Sequence, residues 1–128
     1  MPKDLMFILP YRADMLAQLA TVLGKAGISI AGCTGKEFGP EEIVHLLVDD
    51  AAGARRAAEQ AGFVVRGERD VIVAPIEDRP GALGQLLGQL ADAGVSVDLV
   101  YLATASRVVI GVVEDLERAQ AALRPAGR

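Results

Sequence analysis

Tryptophan is absent, cysteine and histidine occur once each, and Tyr and Phe together supply only five rings in 128 residues. A lone Cys33 permits no disulfide within one chain, which makes the cytoplasm the expected location. It also leaves no Cys-x-x-Cys for a metal, and His45 has no second ligand near it in sequence, so neither metal nor cofactor is expected. Basic residues are the minority, 13 Lys and Arg against 17 Asp and Glu, a formal charge of -4. Nucleic acid needs a basic face and favours aromatic platforms, so it is not an expected partner. Long apolar runs are missing too. The longest uncharged stretch, residues 80–91, has twelve residues, whereas a membrane-spanning helix needs about 20. The apolar residues 5–9 are too few for the core of a secretory leader. No membrane partner is expected.

What the chain does have is 52% hydrophobic residues, 23% charged ones and an internal repeat. Sliding the sequence by 67 residues lays 12–30 on 79–97 with eight of nineteen positions identical: Arg12, Leu16, Gln18, Leu19, Leu23, Ala26, Gly27 and Ser29. The match resumes at a shift of 65, with Val48-Asp49-Asp50 on Val113-Glu114-Asp115 and Ala61-Gly62 on Ala126-Gly127. The two extra residues of the first copy fall near 35–42, where a polar, Gly/Pro-bearing hairpin loop tolerates insertion.

Each copy reads as strand, helix, strand, strand, helix. Residues 5–9 and 71–76 are short apolar runs suited to buried strands. Leu16, Leu19, Ala20 and Leu23, and in parallel Leu83, Leu86, Leu87 and Leu90, recur at i, i+3, i+4 and i+7, one face of an amphipathic helix. Gly27 and Gly94 are expected to end those helices, since glycine can take positive φ without steric penalty. Strands follow at 28–36 and 95–105, then at 43–48 and 108–113, and Ala-rich helices at 51–61 and 116–123. The first copy continues into a sixth element at 63–66, which the second copy lacks. The fold class is therefore α+β: two ferredoxin-like βαββαβ units, 1–68 and 69–128, the second without its own last strand. Gly67-Glu68 reads as a tight turn, and strands 63–66 and 71–76 are expected to form a hairpin joining the copies.

The loop 78–83 carries the most chemistry. Pro80 fits the first helical position, Asp78 lies near the helix start, and Gly81 lets a ligand approach the backbone closely. The N–H groups of Gly81, Ala82 and Leu83 would face outward at the positive end of the helix dipole, where a carboxylate binds readily. Asp78 adds a partner for an ammonium, so the loop could hold both ends of an α-amino acid. On spacing alone, a well-capped helix accounts for the same residues.

Asp78-Arg79-Pro80-Gly81-Ala82-Leu83, a Leu-patterned helix and then Ala93-Gly94-Val95-Ser96-Val97 resemble the signature of the ACT domain, a family of small-molecule sensing modules of ferredoxin-like fold. With both copies counted, nearly the whole chain resembles stand-alone proteins made of two ACT units. The resemblance implies a non-catalytic regulatory protein that binds a free amino acid where two units meet. Carried over, the ligand contacts are Asp78, Pro80, Gly81, Ala82 and Leu83 from the second copy and Ser29, Ile30 and Ala31 from the first. The reciprocal set, Tyr11, Arg12 and Asp14 with Ser96, Val97 and Asp98, reads as a degenerate pseudo-site. There Tyr11 replaces the acid, and Asp14 puts a negative charge where a ligand carboxylate would sit.

Other residues point elsewhere only weakly. His45 reads as a structural residue of its strand, Cys33 as small and at least half-buried, Glu41-Glu42 and Asp49-Asp50 as solvated strand ends, and Arg55-Arg56 as an exposed helix face. An alternative is a small ferredoxin-like enzyme with a site between the units, using His45 or Tyr101 as acid or base. Open strand edges, left by the missing sixth element, favour a homodimer over a monomer whose two units satisfy each other.

Overall fold

Along the first strand, Leu5, Phe7 and Leu9 are fully or almost fully buried while Met6 and Ile8 between them are only partly so, which aims one face at an apolar core. The computed structural model describes residues 1–124. It divides into two units, Pro2–Asp70 and a second beginning at Val71. The first runs β1 (Lys3–Pro10), α1 (Met15–Lys25), β2 (Ile30–Phe38), β3 (Glu41–Val48), α2 (Ala51–Gln60) and β4 (Val65–Asp70). The second runs β5 (Ile72–Pro75), α3 (Ala82–Asp92), β6 (Val97–Ala103), β7 (Arg107–Val112) and α4 (Leu116–Ala122).

In the first unit the strands lie in the order β4-β1-β3-β2, all antiparallel. Register sets Leu5 opposite Leu46 and Phe7 opposite Val44, so the apolar sides of both strands coincide. Leu19 and Leu23 of α1 and Ala54 and Ala58 of α2 close over them. In the second unit the order is β6-β7-β5, and Val108, Ile110 and Ile72 lie beneath Leu90 of α3 and Ala119 of α4. This is the expected ferredoxin-like plan, with three strands among the described residues of the second unit. The repeat match at Ala126-Gly127 lies outside the described residues.

Three helices end the same way. Gly27, Gly62 and Gly94 have φ of 77°, 90° and 72°. Each donates its N–H to a carbonyl three residues back, and the apolar residue after it, Ile28, Phe63 or Val95, donates to the carbonyl five back. This double closure satisfies carbonyls that the helix leaves open and turns the chain sharply. It also explains where the strand boundaries differ from expectation. Ile28, Phe63 and Val95 belong to the helix closures, so β2, β4 and β6 begin two residues later than the apolar pattern indicated.

The expected joining hairpin does not form. Gly67 and Glu68 are not a turn but the middle of β4, which pairs with β1 from Lys3↔Asp70 to Phe7↔Val65, while β5 pairs with β7. The hairpin loop that carries the insertion behaves as read. Phe38 pairs with Glu41 around Gly39-Pro40, and β2 and β3 span nine and eight residues against seven and six for β6 and β7.

Asp50, expected as part of a solvated strand end, caps α2 by accepting from the Gly53 N–H at 2.9 Å. A Cβ on Gly53 would lie 2.3 Å from the Asp50 carboxylate, so the carboxylate would have to shift and its cap would weaken. Replacing a helix-interior glycine by alanine stabilises by about 1 kcal/mol, and losing a cap costs about the same. Gly88→Ala, with nothing within 4 Å of its added Cβ, is therefore expected to raise stability by about 1 kcal/mol. Gly53→Ala is expected to give no net gain. Urea denaturation of the two variants checks the contrast.

Candidate functional site

At the end of β5 the Ile76 N–H donates to the Ser106 carbonyl at 2.9 Å, tying the strand to the turn between β6 and β7. The chain then winds through Glu77, Asp78 and Arg79. The Arg79 guanidinium braces this winding, with Nε 3.1 Å from Glu77 Oε2 and Nη2 donating to Gln85 Oε1 at 2.7 Å. Its carbonyl accepts from the Ala82 N–H at 3.2 Å, and the Gly81 carbonyl accepts from Gln85 at 3.0 Å.

Two expectations are corrected here. Pro80 is not the first helical residue; α3 begins at Ala82, and Gly81 is its N-cap in the left-handed region with φ 86°. The left-handed residue breaks the backbone between Pro80 and the helix, so glycine is required at 81 by the fold, whether or not a ligand approaches. The Ala82 N–H is not an open donor, because Arg79 already holds it. Among the described residues, Gly81 and Leu83 keep N–H groups without a backbone acceptor. Asp78 does not cap the helix. It is exposed, and its carboxylate has no hydrogen-bonding or ionic partner among the described residues.

The loop separates two open cavities. The larger, about 640 Å³, lies toward the flank of α3 and is bounded by Gln85, Leu86, Gln89, Ala105 and Ser106. The smaller, about 420 Å³, lies toward β6 and is bounded by Leu83, Leu102, Ala103 and Arg107. Ile76, Glu77, Asp78 and Arg79 border both. These volumes suit small ligands. The turn shared by the two walls holds Ala105 and Ser106 at φ 59° and 51°, a conformation that side chains other than glycine adopt at a cost. Arg107 clamps that turn by donating to the Thr104 carbonyl at 2.8 Å.

The matching loop of the first unit repeats the backbone bonds and differs in charge. Met15 donates to the Arg12 carbonyl and Gln18 to that of Asp14. Asp14 takes the N-cap place with φ -95°, and its carboxylate receives Arg12 Nε at 3.0 Å and Gln18 Nε2 at 2.7 Å. The Arg12 guanidinium holds the Asp14 carboxyl below the usual carboxylate range. Tyr11 stands exposed beside them.

The second strands carry a feature that no sequence pattern revealed. In both units their pairing slips by one residue near the start, at Ala31 between Ile30 and Gly32 and at Asp98 between Val97 and Leu99. Such bulges re-aim side chains. Just before them, the Ser29 N–H donates to Asp49 Oδ1 at 3.2 Å, and the Ser96 carbonyl accepts from Val113. Ser29, Ile30 and Ala31 thus form one short stretch in the first unit, and Asp78 to Leu83 one loop in the second.

His45 is held by a partner that sequence reasoning missed. Its Nδ1 lies 2.8 Å from Asp4 Oδ2, and Asp4 is only 2% exposed. Period-two alternation from Leu5 puts Asp4 and Met6 on one face, and the register that brings His45 opposite Met6 is set by strand pairing that no sequence pattern announces. Cys33 is exposed rather than half-buried, and partial desolvation and then the Glu42 carboxylate raise its thiol pKa, which disfavours a thiolate. Arg55 links α2 to β4 through Glu68 at 3.1 Å instead of facing solvent alone. No three His, Cys, Asp or Glu side chains gather as metal ligands among the described residues, and no described helix is long and apolar enough to cross a membrane.

No family model and no curated protein matches the sequence. Solved structures do. A protein from Bacteroides thetaiotaomicron is 27% identical, with a TM-score of 0.84 over 94% of this chain and 85% of that one. The ligand-free regulatory subunit of aspartate kinase from Thermus thermophilus is 20% identical, with a TM-score of 0.73 over 96% and 89%. The corresponding subunit from Thermus flavus is 19% identical, with a TM-score of 0.67 over 96% and 88%. This chain thus shares the fold of those regulatory subunits, and the two ferredoxin-like units in tandem that the sequence resemblance implied are observed.

Two expected outcomes follow from the paired loops. Gly81→Ala places a Cβ at φ 86° and is expected to cost about 1–2 kcal/mol in chemical denaturation. Asp14, with its lowered pKa, contributes stability that is present above the ordinary carboxylate range and is lost as pH falls through the lowered value. Asp14→Asn is expected to flatten that acid limb in melting curves taken across the range, and added salt to shrink the difference.

Proposed function

We propose that this chain is a non-catalytic regulatory module of the ACT type that binds a free α-amino acid at the loop 78–83. One observation carries the reading. The Asp78 carboxylate, unpartnered among the described residues, borders two cavities in the same short loop as the open N–H groups of Gly81 and Leu83. An ammonium complements the first and a carboxylate the second, so the loop has the two complements of an α-amino acid. Ser29, Ile30 and Ala31 are the residues proposed to supply contacts from the first repeat, 1–68, to a ligand held by the second, 69–128. The reciprocal set built on Tyr11, Arg12 and Asp14 is proposed to stay empty, because Asp14 with Arg12 already supplies an internal carboxylate pair there. The likeness to regulatory subunits of aspartate kinase supports a regulatory role. We further propose a cytoplasmic homodimer.

A second reading, acid–base catalysis, has one observation in its favour, the buried Asp4 beside His45. His45 borders neither cavity at the loop, so His45→Gln should leave amino-acid binding intact.

Thermal shift with each of the twenty amino acids is the direct test. A ligand at 100 times its dissociation constant adds about 2.7 kcal/mol. At least one amino acid is expected to stabilise the chain, and Asp78→Asn to weaken that ligand about tenfold or more by removing a charge-assisted bond. The absence of any shift across the panel would overturn the reading. Light scattering checks the assembly, with twice the 13.4 kDa chain mass expected; a mass that stays at one chain rules the dimer out.

A further inference from the structure

We infer that the ligand's side chain is apolar and sits between Leu83 and Leu102 in the smaller cavity, an inference that rests on the amino-acid reading above. Leu102 pairs with Val108 across β6 and β7, and Val100 with Ile110, so all four lie on the same side of the sheet. The helices bury Val108 and Ile110 completely, yet Val100 and Leu102 remain 42% and 63% exposed. Core-type surface therefore runs out from beneath the helices to the rim beside Asp78. Leu83, in the first turn of α3, faces it from the other wall at 36% exposure. A ligand whose ammonium is on Asp78 and whose carboxylate is on the Gly81 and Leu83 N–H groups has this apolar hollow directly beside its α-carbon.

The charges around the hollow favour the same outcome. Glu77 is paired with Arg79 at 3.1 Å, and Arg107 is turned onto Thr104 through both its carbonyl and its Oγ1. Asp78 is engaged by the ammonium. Among the described residues a basic side chain would find no free acid there and an acidic one only Arg107, which Thr104 already engages, and either would lose hydration against two leucines. The larger cavity is the polar alternative, offering Gln85 and Gln89, but Gln85 Oε1 already accepts from Arg79 at 2.7 Å.

Calorimetric titration of the full chain with leucine, isoleucine, valine, alanine, lysine, threonine and aspartate tests the inference. A branched aliphatic side chain is expected to bind about tenfold or more tightly than alanine, because each methylene in an apolar pocket is worth about tenfold or more. Leu102→Asp is expected to abolish that preference while alanine still binds, and Gln89→Ala to change neither. Leu102→Ser, with melting temperature measured alongside, provides a gentler change at the same exposed position. Lysine, threonine or aspartate binding as tightly as leucine would overturn the inference, as would a preference that survives both Leu102 changes or is lost in Gln89→Ala. Failure of every amino acid, alanine included, would instead overturn the reading of the loop on which it rests.

Discussion

Two helices must cover one sheet face in a unit of some 60 residues, and they can do so only if the chain reverses within a few residues of each helix end. The glycine closures at Gly27, Gly62 and Gly94 meet that constraint. Each also commits the apolar residue after the glycine to the core, Ile28 and Val95 being buried and Phe63 packed against it. The chain cannot begin pairing until that residue is placed. Strand onset, the slip at Ala31 and Asp98, and the side chains presented at the start of each second strand are consequences of how the preceding helix ends.

The same economy explains how two nearly identical junctions came to differ. Backbone bonds at the start of α1 and α3 are the same, yet the cap residue is a right-handed aspartate in one and a left-handed glycine in the other. Aspartate at 14 brings its own carboxylate and recruits Arg12 and Gln18. Glycine at 81 brings none, swings the backbone to positive φ and leaves Arg79 to brace the loop from outside, through Glu77 and Gln85. The arginine common to both copies thus turns inward onto the cap in one and away from it in the other. A single side chain decides whether the junction is electrostatically closed or open.

Much of this was legible because the repeat supplied two readings of every element. Leu16 to Leu23 and Leu83 to Leu90 established the helices, and Gly27 and Gly94 their ends, since only an αL residue there satisfies the last carbonyls. What stayed hidden depends on hydrogen bonds rather than hydropathy. Gly67-Glu68 has the composition of a turn but lies in a strand, because β1 already offers it a partner. Pro80 has the right φ to open a helix, and the left-handed Gly81 behind it takes that place away. Asp4 escaped notice because burial of an acid is paid for by His45, a residue 41 positions on. Ala31 and Asp98 mark bulges that leave no compositional trace.

The central strand β1 is the first segment of its unit to be made and the last to be completed. Its two neighbours, β3 and β4, come from residues 41–48 and 65–70, and Lys3 meets Asp70 at the far end of the unit. During synthesis, Leu5, Phe7 and Leu9 therefore leave the ribosome with neither edge of their strand paired, and they wait for most of the unit to follow. The two ends of the unit finish side by side. That adjacency makes the first unit a ring in all but one bond, so joining Asp70 to Lys3 through a short linker and opening the chain at the Gly39-Pro40 turn would preserve every strand pairing in it.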